Sequence, residues 1–493
     1  MSHRLTIWLL FVLFLVMNGV LLGRLPGLMG DEASEGENVY EIVSSPVWVL
    51  TGERSYIGPA IDYIRVPFIF LFGYTTLGVR IPMLLFSVAT FWLAAYVLRQ
   101  MVGREAALFG LVGLVFSPIW LAHQRLGWTI SLFPFFTFLI LALFIRGYKY
   151  SPFFGGFTAG LGLSNHIIFL PTLAGLVAAL GLRGLFYWRR LLSYWPALIG
   201  FSAGFGIQLA VLLTWREDQG EIAKTASLMG ARFHDFFGAW PLFVTGSSYI
   251  AHYIADEFSH GLMLTLTLVL SGLALASLLG ARRRPAILLL WVWLIVYMPV
   301  LMYMIDRFSL RYFVMGSLWV WMMAGIGLYE LGCLLLRLSG FLLPANLPGK
   351  FYIKVSRHRL WASKENLIGA FTLLIAGCLS IWIWTVLFIP YLRTGGSTED
   401  FPLGNRVDSA AALVDIRPLL ACLRGRGPVF SENIHIYNRL LYVSHSMPQL
   451  TLVGEYDQDS ARFLVHYRLA TDKKDSRDSE ACPELNHFRV VPV

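Results

Sequence analysis

Charge is what this sequence has little of. Of 493 residues only 14% are Asp, Glu, Lys or Arg, while 57% are apolar; an average soluble protein is about 25% charged. An apolar excess of that size cannot be enclosed by the surface of a soluble chain, which excludes a soluble enzyme, a disordered chain and a disulfide-stapled secreted scaffold as descriptions of the whole. Cysteine is rare, with four residues. Asn-x-Ser/Thr sequons are absent, as are His-x-x-x-His and Cys-x-x-Cys spacings and any Gly-rich loop of the phosphate-cradling kind. No metal or other cofactor is therefore expected. The missing sequons favour a prokaryotic plasma membrane over a glycosylating compartment.

What the sequence has is long uncharged runs. Residues 5–23, 81–98, 106–124, 126–145, 191–215, 258–281, 285–305 and 366–392 can each cross a bilayer, and 312–336 is a further span carrying Glu330 near its end. The run 151–182 is too long for one crossing and is interrupted by Ser164, Asn165 and His166, so it reads as two short, tilted or partly re-entrant segments. The total is eleven spans. Residues 66–79 and 236–255 are better suited to lying at the interface than to crossing it.

Basic and acidic residues alternate in step with that count. With the amino terminus inside, the inside loops hold Arg4, Arg99, Arg104, Arg146, Lys149, Arg183, Arg189, Arg190, the triplet Arg282 to Arg284, and a loop with Arg337, Lys350, Lys354, Arg357, Arg359 and Lys364. The outside loops hold Asp31, Glu32, Glu35, Glu37, Glu41, Glu53 and Asp62, then Glu217, Asp218, Glu221, Asp235, Asp256 and Glu257. The net charge of +9 thus follows membrane topology and calls for no nucleic acid. The first run is longer than a signal-peptide core and is read as an anchor.

Composition changes at residue 393. The expected organisation is a membrane domain over 1–392, with a first outer loop at 24–80, and an extracytoplasmic domain over 393–493. Helical spacing over 407–423 and around 434–443, with short strand-like runs at 428–430, 449–453, 462–467 and 488–491, predicts a small α/β fold. Cys422 and Cys482 both lie in this outside tail, where oxidising conditions permit a bridge. The small residues between Gly155 and Gly162 point to close helix packing.

Just past the first run, Gly30, Asp31 and Glu32 open a polar, helix-like stretch. Acidic outer loops are common, and an acid at a helix start is a favourable cap. The order of motifs adds to this pair. Val79 and Arg80 open the second span, Pro118 and then Arg125 close the third, Gly160 to His166 form a Gly-rich broken segment with a polar end, and Arg311 and Tyr312 stand at an outside boundary. Over residues 5–327 this arrangement resembles the GT-C class of integral-membrane glycosyltransferases, especially its protein-mannosyltransferase-like and aminoarabinose-transferase-like branch. One departure is visible: many members carry an acid shortly after the arginine of the second outer loop, where this chain has Gly127 and Trp128.

The resemblance implies an inverting transferase that takes a sugar from a polyprenyl phosphate and delivers it at the outer face to a hydroxyl of a lipid, glycan or protein acceptor. Such transfer needs a base for the acceptor and cations for the departing phosphate. Asp31 is the expected base. Glu32 orients the acceptor or a neighbouring cation, or faces water. Arg80, Arg125, Arg307 and Arg311, with Tyr312, His123 and His166, are the expected donor-phosphate group, although snorkelling explains any single arginine at a span end equally well. A transporter or lipid flippase is the rival class, and a non-catalytic scaffold of the same architecture a third.

Overall fold

In a computed structural model the described residues are 2–52, 57–185, 194–214, 256–282, 284–304, 310–342, 352–355, 358–361, 364–389, 416–431, 433–447, 449–452, 463–467 and 488–492, with single positions 240, 244 and 392. The chain is mostly helical. In order the helices are α1 (His3–Gly19), α2 (Gly30–Ser44), α3 (Ala60–Phe72), α4 (Thr76–Val102), α5 (Arg104–Phe116), α6 (Pro118–Gln124), α7 (Phe133–Arg146), α8 (Ser151–Asn165), α9 (Leu170–Leu185), α10 (Trp195–Thr214), α11 (Asp256–Ala276), α12 (Ala286–Met304), α13 (Val314–Leu342), α14 (Lys364–Ile383), α15 (Arg417–Leu423) and α16 (Ile434–Ser444).

The apolar helices fall on the uncharged runs. Among the described residues four are long and apolar enough to cross a membrane: α4, α12, the stretch Thr129–Arg146 that includes α7, and Val314–Leu335 of α13. α5 and α6 pass the same test as a pair bent by 63°. The bend has a local cause, because Pro118 occupies the first turn of α6 and cannot continue the hydrogen-bond ladder of α5. Shorter apolar helices lie at His3–Gly19, Ile167–Leu182, Trp195–Val211, Thr265–Gly280 and Ile368–Ile383. The interruption at Ser164 to His166 ends α8, and a short 3-10 turn, Ile167–Phe169, precedes α9.

Glycine sets the closest helix contacts. A Cβ on Gly156 or Gly160 of α8 would run into the carbonyls of Ala197 or Phe201 on α10, and one on Gly200 or Gly204 into those of Phe153 or Phe157. α5 and α13 interlock in the same way, through Gly113 against the Trp321 carbonyl and Gly325 against that of Phe109. In lipid, where apolar helices gain nothing by hiding from water, backbone approach of this kind supplies the packing energy. Trp120, Trp293 and Trp319 are fully buried in the core these pairs enclose.

The described residues also form two small sheets. A hairpin of β1 (Tyr352–Val355) and β2 (His358–Trp361) pairs Tyr352 with Trp361 inside the basic loop, where no strand is expected from the sequence. In the tail, β3 (Val429–Ser431) pairs in parallel with β4 (Phe463–Tyr467), which pairs antiparallel with β5 (Phe488–Pro492). Of the strand expected at 449–453, the described residues 449–452 show one bridge, between Leu452 and Val429. Of the helix expected over 407–423, α15 is the described part. Leu419, Leu423, Val429, Ile436, Leu440 and Val465 are buried together as a separate small core. Cys422 is disulfide-bonded, and Cys333 and Cys378 are free thiols. Cys482 and nearly all of 236–255 lie outside the described residues.

Candidate active site

The segment between α1 and α4 is built around α2. Its first turn carries Asp31 and Glu32, and the Glu32 carboxylate reaches back to accept from the Met29 amide at 2.8 Å, as a capping acid does. Successive residues are rotated by about 100° round a helix. The two acids therefore face differently: Asp31 is half-buried, while Glu32 and Glu35, one turn apart, are fully buried.

Glu32 is neutralised inside the protein. Arg80 donates to both of its oxygens, from Nε at 2.7 Å and from a terminal nitrogen at 2.6 Å, and the Gly127 amide donates to Oε1. The other Arg80 donors reach the carbonyls of Leu22 at 2.9 Å, Pro26 at 2.8 Å and Gly27 at 2.7 Å. That engages all of the guanidinium's N–H groups. Arg125 is arranged similarly, donating to the carbonyls of Leu25 at 2.8 Å, Val20 at 2.5 Å and Met17, with its guanidinium over the Phe388 ring at 5.0 Å. Between them the two arginines wrap the segment joining α1 to α2, where Leu21 holds the left-handed conformation (φ 55°) that bulky residues rarely adopt. The sequence places both on the donor phosphate; the structure gives them these internal partners.

A second buried network lies one helical turn away. Arg65 of α3 donates to Glu35 at 2.5 Å, to Asp62 and to the Gly127 carbonyl. Asn38 donates to Asp62 at 2.6 Å, and Glu35 accepts from the Thr129 amide at 3.1 Å and its hydroxyl at 2.8 Å. Asn165, at the end of α8, donates to the Thr129 carbonyl at 3.0 Å. Together Glu32 and Glu35 fasten the turn at 127–129 onto α2. A side chain at Gly127 would meet the backbone of Val79, so this position has room for no acid. Two carboxylates share one arginine here, and desolvation pushes Glu35 up to about 8 and raises Asp62 as well, with Arg65 opposing both shifts.

The sign of the resulting pH dependence follows. Because folding raises the Glu35 pKa above its ordinary 4.5, its contribution to stability is fully present below about pH 4.5 and is lost as pH rises through about 8. We expect the thermal midpoint of the wild type to fall relative to that of Glu35→Gln as pH is raised from 4.5 to 8. Parallel profiles for the two proteins would place the proton elsewhere.

The remaining expected residues have other contacts. His123 is buried, its Nδ1 2.6 Å from the Ile119 carbonyl and its ring stacked near Trp128. His166 is buried beside Phe133, its Nδ1 accepting from the Ile168 amide at 3.1 Å. The Tyr312 carbonyl accepts from the Tyr297 hydroxyl at 2.9 Å. Arg307 lies outside the described residues, and Arg311 is described only as backbone of the turn Leu310–Phe313. No group of three His, Cys, Asp or Glu side chains suited to a metal ion is present among the described residues. Sequence reading missed Asn38, Asp62, Arg65 and Thr129. The available signal was the i, i+3 spacing of Glu32 with Glu35 and of Asp62 with Arg65, which puts each pair on one helix face.

No family model and no curated protein matches this sequence. Solved structures do. ArnT from Cupriavidus metallidurans bound to undecaprenyl phosphate is similar over 92% of this chain and 86% of its own, with a TM-score of 0.50 and 16% identity. The Archaeoglobus fulgidus oligosaccharyltransferase AglB, in complex with an inhibitory peptide and a dolichol-phosphate, is similar over 94% of this chain and 69% of its own, with a TM-score of 0.49 and 12% identity. With its apolar helices and this likeness over most of its length, the chain is an integral membrane protein with the GT-C fold.

Proposed function

We propose that this protein moves a sugar from a polyprenyl-phosphate donor to an acceptor hydroxyl at the outer face of a membrane, with Asp31 as the general base. The observation that carries the reading is the division of labour on α2. Glu32 and Glu35 are fully buried and pair with arginines inside the protein, and Asp31, in the same turn as Glu32, is only half-buried at the head of the helix. A base must reach its proton within hydrogen-bond distance, which a carboxylate enclosed by Arg80 and Gly127 cannot do. The fold shared with an ArnT structure that holds undecaprenyl phosphate supports the donor class. Glu32 takes the role of holding a neighbouring cation, Arg80, and leaves Arg307 and Arg311 as the arginines assigned to the departing phosphate. In this reading the amino terminus is inside and the C-terminal domain outside, which the alternation of basic and acidic loops supports.

The test is transfer itself. Purified protein in lipid discs, given a panel of radiolabelled polyprenyl phosphate sugars and a membrane extract as acceptor source, is expected to release the polyprenyl phosphate and label the acceptor. Movement of the intact donor between leaflets with no release would reassign the protein to the flippases.

A further inference from the structure

Helix α16 has two working faces. Ile436 and Leu440 pack into the small core of the C-terminal domain. Arg439 and Tyr442, both fully buried, reach beyond that core, and Tyr442 joins the core of the first outer loop with Leu28, Ala33, Val39 and Val79. Burying an arginine and a tyrosine in full is costly unless their polar atoms are paired. Arg439 donates to the Leu28 carbonyl at 3.1 Å, just ahead of the first turn of α2, and the Tyr442 hydroxyl donates to the Thr75 carbonyl at 3.1 Å, at the cap of α4.

The contact continues along the helix. The Tyr442 ring lies on Gly36, where a Cβ would collide with it. His445 lies 2.9 Å from Glu37 and stacks on Tyr40 at 3.7 Å. Ser446 accepts from the Tyr74 amide at 2.8 Å. α16 therefore touches α2 at its start, middle and end, and ties it to the start of α4, whose Arg80 grips Glu32. A helix as short as α2, with glycines at positions 30 and 36, is marginal by itself and depends on what it packs against.

We infer that the C-terminal domain is a positioning element for the helix that carries Asp31, acting through Tyr442 on Gly36 and Arg439 on the Leu28 carbonyl. The effect on turnover rests on the reading of Asp31 as the base; the mechanical coupling does not.

The full-length protein in lipid discs tests both parts by hydrogen exchange and steady-state kinetics. Tyr442→Ala is expected to speed amide exchange across residues 30–44 at least tenfold, leaving α5 and β3 protected as in the wild type. It should lower kcat at least tenfold while the donor KM stays within threefold. Tyr442→Phe keeps the ring, loses only the bond to Thr75, and should retain at least half of kcat. If Tyr442→Ala does not accumulate, Gly36→Ala, which intrudes on the same ring from α2, carries the same readings. Wild-type exchange over 30–44 in these variants overturns the proposal, as does wild-type kcat in an enzyme that Asp31→Asn inactivates. A wild type that transfers no sugar would remove the Asp31 reading, and the exchange data would still decide whether α16 holds α2.

Discussion

Asp31→Asn should cut turnover about a hundredfold to ten-thousandfold, the range lost with a positioned general base, while the protein folds and binds its donor as before. The substitution keeps size and hydrogen-bonding capacity and removes the carboxylate proposed to take the acceptor's proton. Folding should be spared because Asp31 is only half-buried, unlike its neighbours. Donor binding should survive because a carboxylate near an anionic phosphate contributes repulsion. Glu32→Gln separates the readings: it weakens the grip on Arg80 and should lower thermal stability before it lowers the rate per folded molecule. Single-turnover transfer with purified variants makes the comparison. A wild-type rate for Asp31→Asn would move the base to another residue.

The second large effect is expected at Arg80→Ala, and it is an effect on folding. The substitution leaves the fully buried Glu32 without its cation, and removing one partner of such a pair costs about 3–5 kcal/mol. It also strips donors from the carbonyls of Leu22, Pro26 and Gly27, each at about 1–3 kcal/mol when left unsatisfied. Set against a total stability of about 5–15 kcal/mol for a typical domain, the sum removes most of the margin. The variant should fail to yield monodisperse protein or should melt far below the wild type. An Arg80 that touched the donor phosphate instead would give a well-folded Arg80→Ala with weakened donor affinity, so yield and donor binding distinguish the two roles.

These two expectations show where sequence reading reaches and where it stops. Hydropathy located the apolar helices, and the polar interruption at Ser164 to His166 did divide a run too long for one crossing. Likewise the start of α2 at Gly30 follows from the acids of its first turn. The destination of a charged side chain was not legible. Glu35 reads as part of a solvated acidic loop, because nothing local distinguishes an acid facing water from one facing an arginine 30 positions away. Arg80 and Arg125 read as phosphate ligands because their partners are mostly backbone carbonyls, which no residue type advertises. The hairpin from Tyr352 to Trp361 was hidden for a related reason, since a basic loop carries topology in its composition and no strand period.

The bond from Arg439 to the Leu28 carbonyl joins residues 411 positions apart. At about 5–20 residues per second of synthesis, the loop that carries Asp31 emerges tens of seconds before the helix that completes it. During that interval α2 has its arginines and lacks its lid, so a chain truncated anywhere before α16 exposes Gly36 and the apolar side chains around it. Completion of this contact thus waits on translation through α16, and until then the surface around Gly36 stays uncovered.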